Sequence, residues 1–260
     1  MGFKKLLASL GAGGASVETV LFEENVVPGG VVQGEVRIQG GSVAQRIEGL
    51  SVGLQARVEV ESGDSEYKRD VEFTRVRLGG AFEVRAEAVH SVPFGLEIPW
   101  ETPVTMFLGR HLTGMDVGVS TELQIARAVD SSDLDPVNVH PLPAQQAILD
   151  GFGGLGFGFR SADLEQGHIR GTRQALPFYQ EIEFHAPSQY RGISQVELTF
   201  VADDRGMDVV LEMDKKPGLF TEGSDSYRAF AVEHATFQET DWAEYLNRWL
   251  AEVGGRRNWF

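Results

Sequence analysis

Residues 50–61 read Leu50-Ser-Val52-Gly-Leu54-Gln-Ala56-Arg-Val58-Glu-Val60-Glu61, with an apolar side chain at every second position. A period of two places all six apolar groups on one face of an extended strand, whereas a helix would scatter them around its circumference. The same alternation returns from about residue 16 to 233, broken by Gly- and Pro-rich turns such as Val27-Pro28-Gly29-Gly30. Pro pre-sets φ and Gly supplies positive φ at such turns. The pattern predicts an all-β chain whose sheets are wet on one face, and 42% hydrophobic residues suffice for a core.

The strands are expected at about 16–23, 32–38, 47–61, 71–78 (with a bulge near Thr74–Arg75), 91–98 and 116–129. In the second half they are expected at about 155–160, 180–185, 194–201, 207–213 and 227–233. Between the two sets the chain changes character. Asp130-Ser-Ser-Asp-Leu-Asp-Pro136 reads as a polar turn, and Pro143 opens a short helix that is expected to end at Gly151. Near the C-terminus Asp241 stands three residues before Glu244, a helix-start signature. Trp242, Leu246, Trp249 and Leu250 follow as one apolar stripe. The expected organisation is an N-terminal helical segment (1–15), a β-sandwich (16–139), a linker with a short helix (140–151), a second β-sandwich (152–235) and a C-terminal helix and tail (236–260).

The formal charge of −15 argues against non-specific nucleic-acid binding, which needs cations against phosphates. Whole-surface docking on anionic lipid is disfavoured for the same reason, and only a weak local membrane contact is left open. There is no cysteine, so disulfides and thiolate sites are excluded. The apolar run at 6–10 is shorter than a signal-peptide core, and no stretch approaches the roughly 20 apolar residues of a membrane span. A cytoplasmic protein is the expectation.

Few motifs carry chemistry. Gly151-Phe-Gly153-Gly-Leu-Gly156 matches G-x-G-x-x-G, but it follows a helix and runs into a strand, the reverse of a dinucleotide site. It reads as a flexible strand entry. The six histidines have no zinc spacing, and no Gly-x-Ser-x-Gly elbow is present. The expectation is therefore a non-enzyme with no cofactor and no metal. Asp130, Asp133 and Asp135 lack the Gly and Glu of a calcium loop, so they read as turn caps or as partners of Arg127 in an interdomain polar cluster. Arg127 falls on the inward parity of its strand, either at a strand end that has left the core or as a buried cation that needs acidic partners. The termini pair basic and aromatic residues on an otherwise acidic chain. Phe3, Lys4, Lys5, Arg256, Arg257, Trp259 and Phe260 are candidate contacts for a partner groove or a membrane surface, with plain packing onto the sandwich as the alternative.

Extended stretches resemble one family. They are Phe3–Gly11, Pro28-Gly-Gly30, Gly34–Ile38, Gly40–Val43, Gln45–Glu48, Asp130–Pro136, Leu155–Phe157, Arg160–Glu165 and Leu176–Phe184. Together they resemble the bacterial sporulation-control protein M family. The resemblance implies two arrestin-like β-sandwich domains joined by a short hinge. It implies a non-catalytic adaptor in sporulation, development or division control, whose partners are proteins of the cell-division or cytoskeletal kind. In arrestins a charged cluster holds the domains together, and Arg127 with Asp130, Asp133 and Asp135 is the analogous candidate. A small-molecule or carbohydrate-binding sandwich is the alternative reading.

Overall fold

The alternation that defines residues 45–62 becomes the longest strand of the protein. In the computed structural model, which describes residues 13–62, 65–190, 192–215 and 226–254, β4 (Gln45–Ser62) buries Leu50, Val52, Leu54, Ala56, Val58 and Val60 on one face. Strands dominate throughout, as the sequence predicts. Residues 1–12 and 255–260 are outside the described residues. With them go the expected N-terminal helix and all seven candidate terminal contacts, Phe3, Lys4, Lys5, Arg256, Arg257, Trp259 and Phe260.

The chain divides into two units. The first gathers residues up to Arg57 with Asp70–Pro99 and Asp116–Val139; the second gathers Val58–Arg69, Trp100–Met115 and the chain from His140 onward. Residues 58–69 and 100–115 thus group with the second unit, although their place in the sequence is inside the expected first sandwich.

In the first unit, β1 (Ser16–Leu21), β3 (Val31–Gln39) and β7 (Val89–Glu97) form an antiparallel sheet in the order β1-β3-β7. The short β2 (Asn25–Val26) pairs in parallel with β12 (Asn138–Val139). A further sheet runs β11-β10-β4, with β10 (Val117–Ile125) antiparallel to β4 and to β11 (Ser131–Pro136). β5 (Ser65–Gly79) and β6 (Phe82–Val84) also pair with β4. Val36, Ile38, Ile47, Leu54, Val119 and Leu123 are fully buried in this unit.

In the second unit the two-residue strands β8 (Met106–Phe107) and β9 (Arg110–His111) make a hairpin. β13 (Gly158–Gln166), β14 (Phe178–His185), β15 (Ile193–Ala202), β16 (Gly206–Lys215) and β17 (Ser226–Glu233) pair in sequence order as an antiparallel meander. β14 alternates Phe178, Gln180, Ile182 and Phe184 inward with Tyr179, Glu181 and Glu183 outward. The inward face is covered by aromatic packing: Phe152 stacks on Phe184 at 5.1 Å and meets Phe157 edge-on at 5.3 Å.

Phe152 belongs to α1 (Pro143–Gly154), which is one turn longer than the expected helix. Pro143 opens it, and the Leu142 N–H donates to Gln145 Oε1 at 2.8 Å. The glycines do not end it at 151. Gly151 stays inside the helix, and its missing side chain makes room for α2 (Trp242–Gly254); a Cβ would meet Leu246 Cδ1 and Trp242 Cβ, each at 3.2 Å. Gly156, at φ +84, terminates the helix instead, and the Phe157 N–H bonds back to the Phe152 carbonyl. The G-x-G-x-x-G match is therefore a helix end with a close helix contact. α2 begins as the sequence predicts: the Glu244 N–H donates to Asp241 Oδ1 at 2.9 Å, and Trp242, Leu246, Trp249 and Leu250 are buried.

Candidate functional site

Two polar regions stand out, one in each unit, and each is built from carboxylates. The first lies where β11 faces β1. Residues 130–136 read as a turn by composition, yet 131–136 form a strand. The reason lies in β1, whose Val17 and Thr19 amides face away from β3. Ser131 Oγ accepts from the Val17 N–H at 3.3 Å, and Asp133 Oδ2 accepts from the Thr19 N–H at 2.8 Å. Side chains of β11 thus take the place of a neighbouring strand's carbonyls. Behind them Thr19 and Thr121 share a hydroxyl–hydroxyl bond of 2.6 Å, and both are buried.

Asp135 is the next inward position of β11. Its Oδ2 is buried with no hydrogen-bond partner. Burial pushes its carboxyl up to about 7, helped by the charge of Asp133, a side-chain hydrogen bond with Asp133, and the charges of Glu18 and Glu24. A hydrogen bond between two carboxyls requires a proton on one of them. Two ionised carboxylates about 4 Å apart repel by roughly 4 kcal/mol at an effective dielectric of 20. That exceeds the roughly 1.5–3 kcal/mol of one charge-assisted hydrogen bond.

Arg127 does not join this group. β10 ends at Ile125, and Arg127 sits in the following turn, exposed, at φ +60. It forms no ion pair with any described residue. Its inward parity lapses because the chain has already turned. Asp130 is also separate, its Oδ1 accepting from the Ile125 N–H at 2.9 Å to close that turn. Of the four predicted cluster residues, the structure brings together only Asp133 and Asp135.

The second region is the outward face of the meander. Register sets Asp163 beside Glu181, Glu165 beside Tyr179, and Glu183 beside Glu197, which in turn faces Glu212. Arg160 pairs with Glu183 and reaches Gln195, while Lys68 pairs with Glu59. Glu181 sits among the acids. Burial first, then Glu197, Asp163, Glu165 and Glu212, push its carboxyl up to about 8. Burial first, then Glu181, Glu165, Glu212 and Glu197, push the Tyr179 hydroxyl up to about 12. Like charges directly opposite on neighbouring strands destabilise a sheet, so this face carries an electrostatic cost. Sequence reasoning missed it. The alternation Tyr179-x-Glu181-x-Glu183 was visible, but cross-strand register was not.

Elsewhere in the second unit the Arg173 guanidinium bridges Asp203 (2.7 Å) and Asp208 (3.1 Å). Burial alone would raise the Asp203 carboxyl, but bonds from the Arg205 and Gly206 N–H groups and from Arg173 outweigh it and hold it well below the usual range. His234 stacks on Trp100 at 5.5 Å, with Nε2 3.0 Å from the Asp203 carbonyl. Among the described residues no group of three or more His, Asp or Glu is arranged to hold a metal ion, and no helix is long and apolar enough to cross a membrane.

The family model described as SpoOM protein (Spo0M) matches residues 3–217. The chain belongs to the Spo0M family. The sporulation-control protein spo0M of Bacillus subtilis (strain 168) is 34% identical over 216 residues, which span 82% of this chain and 81% of that protein. The crystal structure of Spo0M from Bacillus subtilis superposes with a TM-score of 0.79 at 27% identity, covering 94% of this chain and 99% of the other. The resemblance read from the sequence and the all-β fold are both confirmed. The Spo0M family match takes in both carboxylate regions and ends before β17 and α2.

Proposed function

We propose that the chain is a non-catalytic regulator of bacterial sporulation or an allied developmental or division process, working in the cytoplasm as an adaptor through protein contacts. The observation that carries this reading is the likeness, over most of both chains, to a protein named for sporulation control. A body of antiparallel sheets supports it as well, since sheet faces and edges are surfaces on which protein partners dock. The candidate terminal contacts Phe3, Lys4, Lys5, Arg256, Arg257, Trp259 and Phe260 enter the proposal as basic and aromatic groups on an acidic chain.

The test is a crosslinking pull-down from the native cell, comparing the full chain with one lacking residues 1–10 and 254–260. Cell-division or cytoskeletal proteins recovered by the full chain and lost on trimming are the expected result. No protein recovered, together with a thermal shift produced by a small molecule or sugar, would overturn the adaptor reading.

A further inference from the structure

Residues 100–105, between β7 and β8, belong to no strand, so side-chain bonds hold them in the second unit. Gln180 on β14 acts there like a neighbouring peptide group. Its Oε1 accepts from the Val104 N–H at 2.9 Å, and its Nε2 donates to the Val104 carbonyl at 2.8 Å. Glu101 accepts from the Ala175 and Leu176 N–H groups at 2.8 and 3.0 Å. Thr102 stands between these two anchors, only 2% exposed, and its Oγ1 is buried with no hydrogen-bond partner. Native folds leave few buried hydroxyls in that state, because each one is destabilising. Thr102 lines a cavity of about 10 Å³ together with Gln145, the third residue of α1. Gln145 is itself buried. Its Oε1 accepts from the Leu142 N–H, but its Nε2 makes no hydrogen bond with a described residue. The remaining amides on the cavity are already bonded: Gln180 to Val104, and Gln174 to the Ile169 N–H and to the carbonyls of Gly167, Leu176 and Phe178.

We propose that this cavity is a binding site for one water molecule, held by Thr102 Oγ1 and Gln145 Nε2, which ties residues 100–105 to the first turn of α1. The volume is room for about one water and for no larger ligand. Cavities that stay dry are apolar, whereas a buried water needs two to four polar partners. Two unbonded polar groups of complementary kind line this one. The Gln145 amide can only donate, and the Thr102 hydroxyl can donate or accept, so one water satisfies both. Such a bridge is nearly as favourable as a direct hydrogen bond and costs little entropy. It gives the stretch a third anchor, on α1, beside the Gln180 and Glu101 bonds. The site does not depend on the adaptor reading.

The test is oxygen-17 relaxation dispersion of water on the full chain, which counts waters held for longer than the molecule takes to tumble. It is repeated on Thr102→Val, which keeps the shape and removes the hydroxyl, and on Thr102→Ser, which keeps the hydroxyl. Thr102→Val is expected to hold one long-lived water fewer than the unsubstituted chain, and Thr102→Ser the same number. Melting followed by tryptophan fluorescence separates the two cases by sign. With a water bound, Thr102→Val removes one of its two partners and lowers the midpoint by about 2–4 °C. Without one, the substitution exchanges an unpaired buried hydroxyl for a methyl and raises the midpoint. A crystal structure of the unsubstituted chain needs no variant, and electron density for one water within hydrogen-bond reach of both atoms is its expected result. An equal water count in Thr102→Val and the unsubstituted chain, a raised midpoint, or a crystal structure with no water on Thr102 Oγ1 overturns the site.

Discussion

The acidic strand β11 of the first unit and the acidic face of the second unit's meander use the same residue type in opposite ways. On β11 the carboxyls point inward and replace backbone acceptors, with Asp133 bonded to an amide 114 residues away in sequence. On the meander they point outward, and Glu181 stands among Asp163, Glu165, Glu197 and Glu212 without a backbone partner. In the first case the acids complete a hydrogen-bond ladder, Asp133 accepting from the Thr19 amide. In the second they burden a sheet whose stability comes from its other face. The contrast teaches that an acidic composition says little until register and partners are known. One set is part of the fold, and the other is carried by it.

The sharpest way to break this comparison is to remove what carries the second face. Phe152 is fully buried between Phe157 and Phe184. Phe152→Ala is expected to cost the second unit about 3–5 kcal/mol. The described tryptophans Trp100, Trp242 and Trp249 all belong to that unit, so denaturant unfolding followed by tryptophan fluorescence reads the loss. Exchange protection of β10 in the first unit should hold. A loss shared equally by β10 would show that the two units do not unfold separately.

Next in size is the pH response. Both Asp135 and Glu181 have carboxyls raised above their unfolded values, to about 7 and about 8. Between the unfolded value near 4 and the raised folded value, the native state binds more protons than the unfolded state. Stability therefore falls as pH rises through that window. The melting temperature is expected to be higher at pH 6 than at pH 8.5, and Glu181→Gln should flatten the decline seen by tryptophan fluorescence. Asp203 works in the other direction. Its lowered carboxyl contributes stability that is lost only in strong acid, so Asp203→Asn should destabilise the second unit at neutral pH and leave the pH 6–8.5 slope alone.

These sites differ in how far the sequence revealed them. The alternation Leu50–Val60 and the stripe Trp242, Leu246, Trp249 and Leu250 were legible because apolar periodicity is local. β11 was not, since a strand of Ser131, Asp133 and Asp135 has no apolar alternation. Its extended form depends on β1 amides that only the fold brings near. Of the two readings of Arg127, the strand end that has left the core is the one seen, because β10 ends at Ile125 and the chain has turned by Arg127. The extra turn of α1 was hidden by Gly151, whose smallness serves the crossing of α2 rather than a helix stop. The carboxylate contacts of the meander depend on pairings across four strands, which no single segment encodes.

Salt gives a smaller contrast. The outward acids are partly open to solvent, so raising ionic strength should screen their repulsion and stabilise the second unit by less than about 1 kcal/mol. Fluorescence melts in low and high salt check this, and Glu181→Gln should reduce the gain. Smallest of all is Arg127, exposed and held at φ +60 without an ion pair to a described residue. Arg127→Ala should change stability by no more than about 0.5 kcal/mol. Arg127→Gly should raise it by up to about 1 kcal/mol by relieving the left-handed backbone. A large loss from Arg127→Ala in thermal melts would mean that the arginine does have an acidic partner.

The most direct measurement is a carbon-13 NMR titration of the side-chain carboxyls, with Asp135 and Glu181 assigned through Asp135→Asn and Glu181→Gln. The account predicts midpoints near 7 for Asp135 and near 8 for Glu181. Midpoints near 4 for both carboxyls would contradict it.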